Sequence, residues 1–150
     1  MNRDKKIVVF GDKNIRRIWH NDEWHFSVVD VVGILSGSER PRKYWADLKK
    51  RLNEEGSELS ANIGQLKIES IDGKYYLTDV ANLKGIFRII QSIPSKKAEP
   101  FKLWLAKVGS DRIDEIENPE LAQERMKDLY EKKGYPKDWI DKILRGIAIR

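Results

Sequence analysis

An α+β fold is predicted: two β-hairpins interleaved with short helices, followed by an all-helical C-terminal part. Three observations predict it. Paired β-rich runs, Ile15–Trp19 with Trp24–Val28 and Gln65–Ile71 with Lys74–Leu77, enclose the turn sequences Asn21-Asp22-Glu23 and Asp72-Gly73. Apolar residues recur at helical spacing in Tyr44, Trp45, Leu48, Leu52 and again in Phe101, Trp104, Leu105, Val108. Beyond Ile90 no β-rich run occurs, and helix-forming segments follow one another to Arg150.

The bulk numbers fit a soluble chain. A length of 150 residues suits one domain, or a domain with a helical extension. Apolar residues make up 40% and charged residues 35%, enough for a core under a heavily charged surface. There is no cysteine, which rules out disulfides, thiolate metal sites and a cysteine nucleophile, and suits a reducing cytosol. The N-terminal apolar run Ile7–Phe10 is too short for a signal peptide or a membrane span, so a cytoplasmic protein without membrane contact is expected.

In chain order, Ile7–Phe10 reads as a short β-rich run and Gly11–Asn14 as a turn. Trp19 and Trp24 flank the first hairpin turn and are placed to pair across it. Ser27 caps a short apolar helix, Val28–Leu35, which Ser36-Gly37-Ser38 ends. Arg40–Asn53 is the next helix, with Pro41 tolerated in its first turn. Ser57–Gly64 is polar and small, hence a loop. The Asp72-Gly73 hairpin follows, with a type I′ turn; Tyr75 and Tyr76 alternate faces, one toward the core and one exposed. Thr78 then caps a helix with Asp79 in its first turn and a stripe of Val80, Leu83, Phe87 and Ile90 that Ile86 and Ile89 broaden. Ser95, Lys96 and Lys97 stand at the start of the helix carrying Phe101–Val108, where their backbone donors and positive charges can point at an anion. Gly109-Ser110 is a break, Asp111–Glu117 a short acidic helix, and Asn118-Pro119-Glu120 a restart that runs to Lys132-Lys133 and stops at Gly134. Trp139, Ile140, Ile143, Leu144 and Ile147 mark a last amphipathic helix, still apolar where the sequence ends.

The net charge of +5 is unevenly placed. Gly37–Leu52 holds six basic and two acidic residues, and Pro94–Arg112 five and two. Asp114–Lys133 reverses the balance, with seven acidic and four basic. Electrostatic binding is therefore expected before Arg112, through Arg40, Arg42, Lys43, Lys49, Lys50, Arg51, Lys96 and Lys97. On the helix Arg40–Asn53, Arg42, Lys43, Lys49 and Lys50 point away from the apolar stripe. That geometry serves a phosphate backbone, and equally a lysine-rich face in plain water.

Catalytic motifs are missing. No glycine-rich phosphate loop and no G-x-S-x-G elbow occurs. The pairs Glu54-Glu55 and Asp114-Glu115 read as solvated surface, and His20 with His25 as hairpin polar residues rather than metal ligands. No enzyme, cofactor or metal is expected.

Four segments resemble one family in order. Residues 18–32 (IWHNDEWHFSVVDVV) resemble the opening hairpin and first helix of the Bro-N domain, the N-terminal module of baculovirus Bro proteins and of many phage and prophage antirepressor-like proteins. Residues 41–48 (PRKYWADL) resemble its second helix, 73–83 (GKYYLTDVANL) its second hairpin, and 89–109 (IIQSIPSKKAEPFKLWLAKVG) its signature region. The resemblance covers Lys5–Gly109. It implies a domain over residues 1–109, with 110–150 a helical extension packed on it; the last helix, ending without a cap or polar tail, suggests either that the natural protein continues or that this face meets a partner. The resemblance also implies a nucleic-acid-binding, transcription-regulating role with double-stranded DNA as partner; the cations above would then meet phosphates, and Arg42 is best suited to a base because arginine can pair bidentately with guanine. The alternative is a protein–protein interaction module that binds a repressor without touching DNA, with the C-terminal helix joining a homo-oligomer.

Overall fold

The structure is a computed structural model and describes residues 14–56 and 62–149. The expected run at Ile7–Phe10, most of the Gly11–Asn14 turn, residues 57–61 of the expected loop and the terminal Arg150 lie outside the described residues. The elements run β1 (Arg17–His20), β2 (Glu23–Ser27), α1 (Val28–Ser36), α2 (Pro41–Glu54), β3 (Ile63–Glu69), β4 (Tyr75–Ala81), α3 (Leu83–Gln91), a 3₁₀ turn (Lys96–Ala98), α4 (Glu99–Glu117), α5 (Glu120–Lys132) and α6 (Lys137–Ile149). This is the α+β order the sequence predicts, with a four-stranded antiparallel sheet of order β1-β2-β4-β3.

The first hairpin is closed by Asn21 and Asp22, both with positive φ (52° and 62°) between the paired residues His20 and Glu23. Both residue types tolerate this backbone better than most, and the two-residue type I′ loop needs it twice. Trp19 sits opposite Trp24, ring centroids 5.2 Å apart and edge to face, and the Arg17 guanidinium lies 3.9 Å above the Trp24 ring. The second hairpin corrects an expectation. Only Gly73 has positive φ (81°); the Gly73 amide donates to the Ser70 carbonyl and the Ser70 amide to the Lys74 carbonyl. That is a three-residue loop ending in a left-handed glycine, not a type I′ pair.

Ser27 caps α1 as expected, its hydroxyl accepting from the Asp30 amide, and it is wholly buried. Val28, Val31 and Val32 of α1 and Ile86, Ile89 and Ile90 of α3 are all fully buried, so these two helices supply the centre of the core. Trp45, Leu48 and Leu52 lay α2 on it. Gly37 ends α1 in the left-handed conformation (φ 68°), and a Cβ there would stand 2.9 Å from the side chain of Lys97. Gly37→Ala is therefore expected to cost about 1–2 kcal/mol. A thermal melt should fall by roughly 3–8 °C; an unchanged melt would rule out this left-handed cap.

Four local readings fail. Thr78–Ala81 is strand rather than helix start, because β4 pairs with β3 over seven residues and with β2 at Val80 and Ala81. The helix cap moves to Asn82, whose side chain accepts from the Gly85 amide at 3.0 Å. The expected Ile86, Ile89 and Ile90 are buried together with Gly85, whereas Leu83 is exposed. Gly109 and Ser110 lie inside α4 without a break, since an interior glycine costs only about 1 kcal/mol. Asn118 is not the cap of α5; that position falls to Pro119, with no side-chain cap. Tyr75 and Tyr76 are both exposed, because the hairpin that carries them runs on past the strands that β2 covers.

The chain divides into two compact units, residues 1–103 and 104–150, the division falling within α4. In the first, Phe101 is buried with its ring 5.7 Å from Phe87. The rest of the expected stripe diverges: Trp104 and Val108 are largely exposed, since spacing shows which residues share a face and not what covers it. In the second unit, Tyr130, Tyr135 and Trp139 form an aromatic cluster with centroids 4.6–5.5 Å apart, and Ile140 is fully buried. Glu115 is not solvated surface: it is buried and takes a forked guanidinium from Arg125, with Arg112 at 3.9 Å. No helix among the described residues is long and apolar enough to cross a membrane.

Candidate nucleic-acid interface

The eight cations singled out by sequence do not share one surface. Helical geometry divides those of α2 into an outward face, carrying Lys43 and Lys50, and two flanks. One flank carries Arg42 and Lys49 toward β4. The other carries Arg51 toward the end of α3.

Lys49 is committed. Its ammonium lies 3.1 Å from Asp79 Oδ2, and Trp45 Nε1–H donates to the same oxygen at 2.8 Å. Gln65 donates to the other oxygen at 3.1 Å. Burial alone would raise the Asp79 carboxyl; the hydrogen bonds from Trp45, Gln65 and Lys49, with the charge of Lys49, outweigh it and hold the group below its ordinary value. Asp79 thus fastens α2 to the second hairpin. Arg51 is committed too: it donates to the Ser92 carbonyl at 3.1 Å, at the C-terminal end of α3, and its Nε lies 4.0 Å from Glu55.

The Ser95–Lys97 corner was expected to aim its donors at an anion, and it is built differently. Ser95 accepts from the Lys97 amide and donates to the Ser36 carbonyl, so its hydroxyl is used within the fold. Lys97 lies along Gly37, where α1 ends without a basic residue in its last turn. A cation there complements the negative end of the helix dipole. Lys96 remains exposed.

What is left is Arg40, Arg42, Lys43 and Lys50, all exposed. Among the described residues none of them forms an ion pair, although Asp47 and Glu54 stand four residues beyond Lys43 and Lys50. Arg40, Lys43 and Lys50 follow the outer side of α2. Arg42 instead lines a cleft of about 610 Å³ with Val29, Asp72, Tyr76, Leu77 and Asp79.

Two features of this region escape a reading by local pattern. Arg16 grips Asp30 through Nε at 2.8 Å and Nη2 at 3.0 Å, and reaches the Glu69 carbonyl at 3.3 Å, tying the start of β1 to α1 and to the base of the second hairpin. Its one signal is Asp30 itself, an acid within an apolar helix that needs a partner. The second is the exposed tip of that hairpin, with Ile71, Tyr75, Tyr76 and Leu77 outward and Lys67 and Lys74 between them. Tyr76 donates to Asp72 at 2.6 Å, which holds the Asp72 carboxyl below its usual range and pushes the tyrosine hydroxyl up.

Among known families, the model of the BRO family, N-terminal domain, matches residues 14–111. No curated protein and no solved structure matches the chain.

Proposed function

From the premise that this chain belongs to the BRO family, whose N-terminal domain matches residues 14–111, we propose that it is a DNA-binding regulatory domain of phage or prophage antirepressor type. One observation carries the proposal: a row of exposed cations, Arg40, Lys43 and Lys50, along the outer side of α2 with no acidic partner among the described residues. Phosphates spaced along a duplex fit a helix that is fixed to the core by Trp45, Leu48 and Leu52 on its other side. Lys96 and Lys97 extend the cationic set, while Lys49 and Arg51 hold the fold in place around it. Contacts of this kind position the protein and give affinity that falls with salt.

A second reading has its own support. Ile71, Tyr75 and Leu77 are exposed at the tip of the second hairpin, a surface suited to a repressor protein. Fluorescence anisotropy with a labelled duplex of random sequence separates the two. The DNA reading expects micromolar binding at low salt that weakens at least tenfold as salt rises from about 50 to about 200 mM. An absence of binding at low salt would favour the repressor.

A further inference from the structure

The partners of the charged groups in the cleft beside α2 single out one of them. Arg16 is forked onto Asp30. Asp79 receives Trp45, Lys49 and Gln65. Asp72 accepts the Tyr76 hydroxyl and the Lys74 amide, the latter at 2.8 Å. Arg42 has neither an ion pair nor a side-chain hydrogen bond among the described residues, and it faces the same space, against the apolar side chains of Val29 and Leu77. The cleft therefore offers one free planar fork of donors, while both of its carboxylates are engaged.

The cleft opens at the root of a ribbon. β3 pairs with β4 from Ile63–Ala81 out to Glu69–Tyr75, but β2 covers β4 only at Val80 and Ala81. From Asp79 to the loop the hairpin is thus two strands wide, with Tyr75 and Leu77 on one side of it, 63% and 62% exposed. A B-DNA major groove, about 12 Å wide, admits a two-stranded ribbon.

We propose that the β3–β4 ribbon enters the major groove and that Arg42, at its root, reads guanine. This rests on the duplex-binding reading and divides its labour: Arg40, Lys43 and Lys50 hold phosphates, and Arg42 reads the base. Guanine fits because it presents two adjacent acceptors, N7 and O6, to a group that only donates. Adenine and cytosine each present an amino group, which would need an acceptor in the cleft that is not already engaged.

The test is selection of duplexes from a randomised library by the wild-type chain and by Arg42→Ala, which removes every donor of the side chain. The wild type should enrich sequences sharing a guanine, and R42A should lose that preference at that position. Replacing the shared guanine by 7-deazaguanine, which lacks the N7 acceptor, should weaken wild-type binding about tenfold and leave R42A unmoved. A wild type that binds duplex without guanine preference, or an R42A that keeps the preference, would overturn the assignment and leave duplex binding intact. A wild type that binds no duplex would overturn both.

Discussion

Arg40→Glu, Lys43→Glu and Lys50→Glu together are expected to reduce duplex affinity by about a hundredfold or more at low salt. Each change removes one attraction to the phosphate backbone and installs a repulsion. The three positions lie on one side of α2, so their effects act on the same stretch of DNA. The fold should not notice: none of the three pairs with a carboxylate among the described residues, and exposed substitutions of this kind usually stay within about 0.5 kcal/mol. Titration of a labelled duplex, beside a thermal melt, checks both halves. Retained affinity would remove α2 from the interface. A collapsed melt would show that these cations hold the structure instead.

Asp79→Ala carries the largest stability effect. It strips the acceptor from three donors at once, and one of them, the indole of Trp45, belongs to a residue only 4% exposed. A buried donor left without a partner costs about 1–3 kcal/mol, and the lost hydrogen bonds of Lys49 and Gln65 bring the expected total to about 2–4 kcal/mol. Chemical denaturation measures it, and a loss below about 0.5 kcal/mol would show that Asp79 is not the fastening between α2 and the hairpin. The pH dependence has a definite sign. The folded carboxyl titrates below its ordinary value, so the stabilisation is complete above the unfolded value of about 3.9 and is lost as pH falls through the folded one. Asp79→Asn should flatten the acid limb of the stability curve that this group contributes.

Much of the fold is legible in the sequence because its signals are local. Ser27 as a cap, Gly37 as a helix end, Pro41 in a first turn and the pairing of Trp19 with Trp24 each depend on residues within a few positions of one another. The misread elements depend on distant partners. Thr78 resembles a cap until β3 claims it for the sheet, and Gly109 resembles a break although its cost is small beside a helix of 19 residues. The same division runs through the candidate site. Lys49 reaches a carboxylate 30 positions away and Arg51 a carbonyl 41 positions away, which no local charge count can anticipate. Charge counting picks out a helix, and only the contacts tell its free cations from its engaged ones.

The central claim is that the outer face of α2 neutralises DNA phosphates, and the salt dependence of duplex affinity tests it most directly. Each phosphate contact contributes about 0.9 to the slope of log affinity against log salt. The account predicts that Arg40→Gln, Lys43→Gln and Lys50→Gln together lower the magnitude of the wild-type slope by about 2 to 3. A slope that the triple variant leaves unchanged would contradict it.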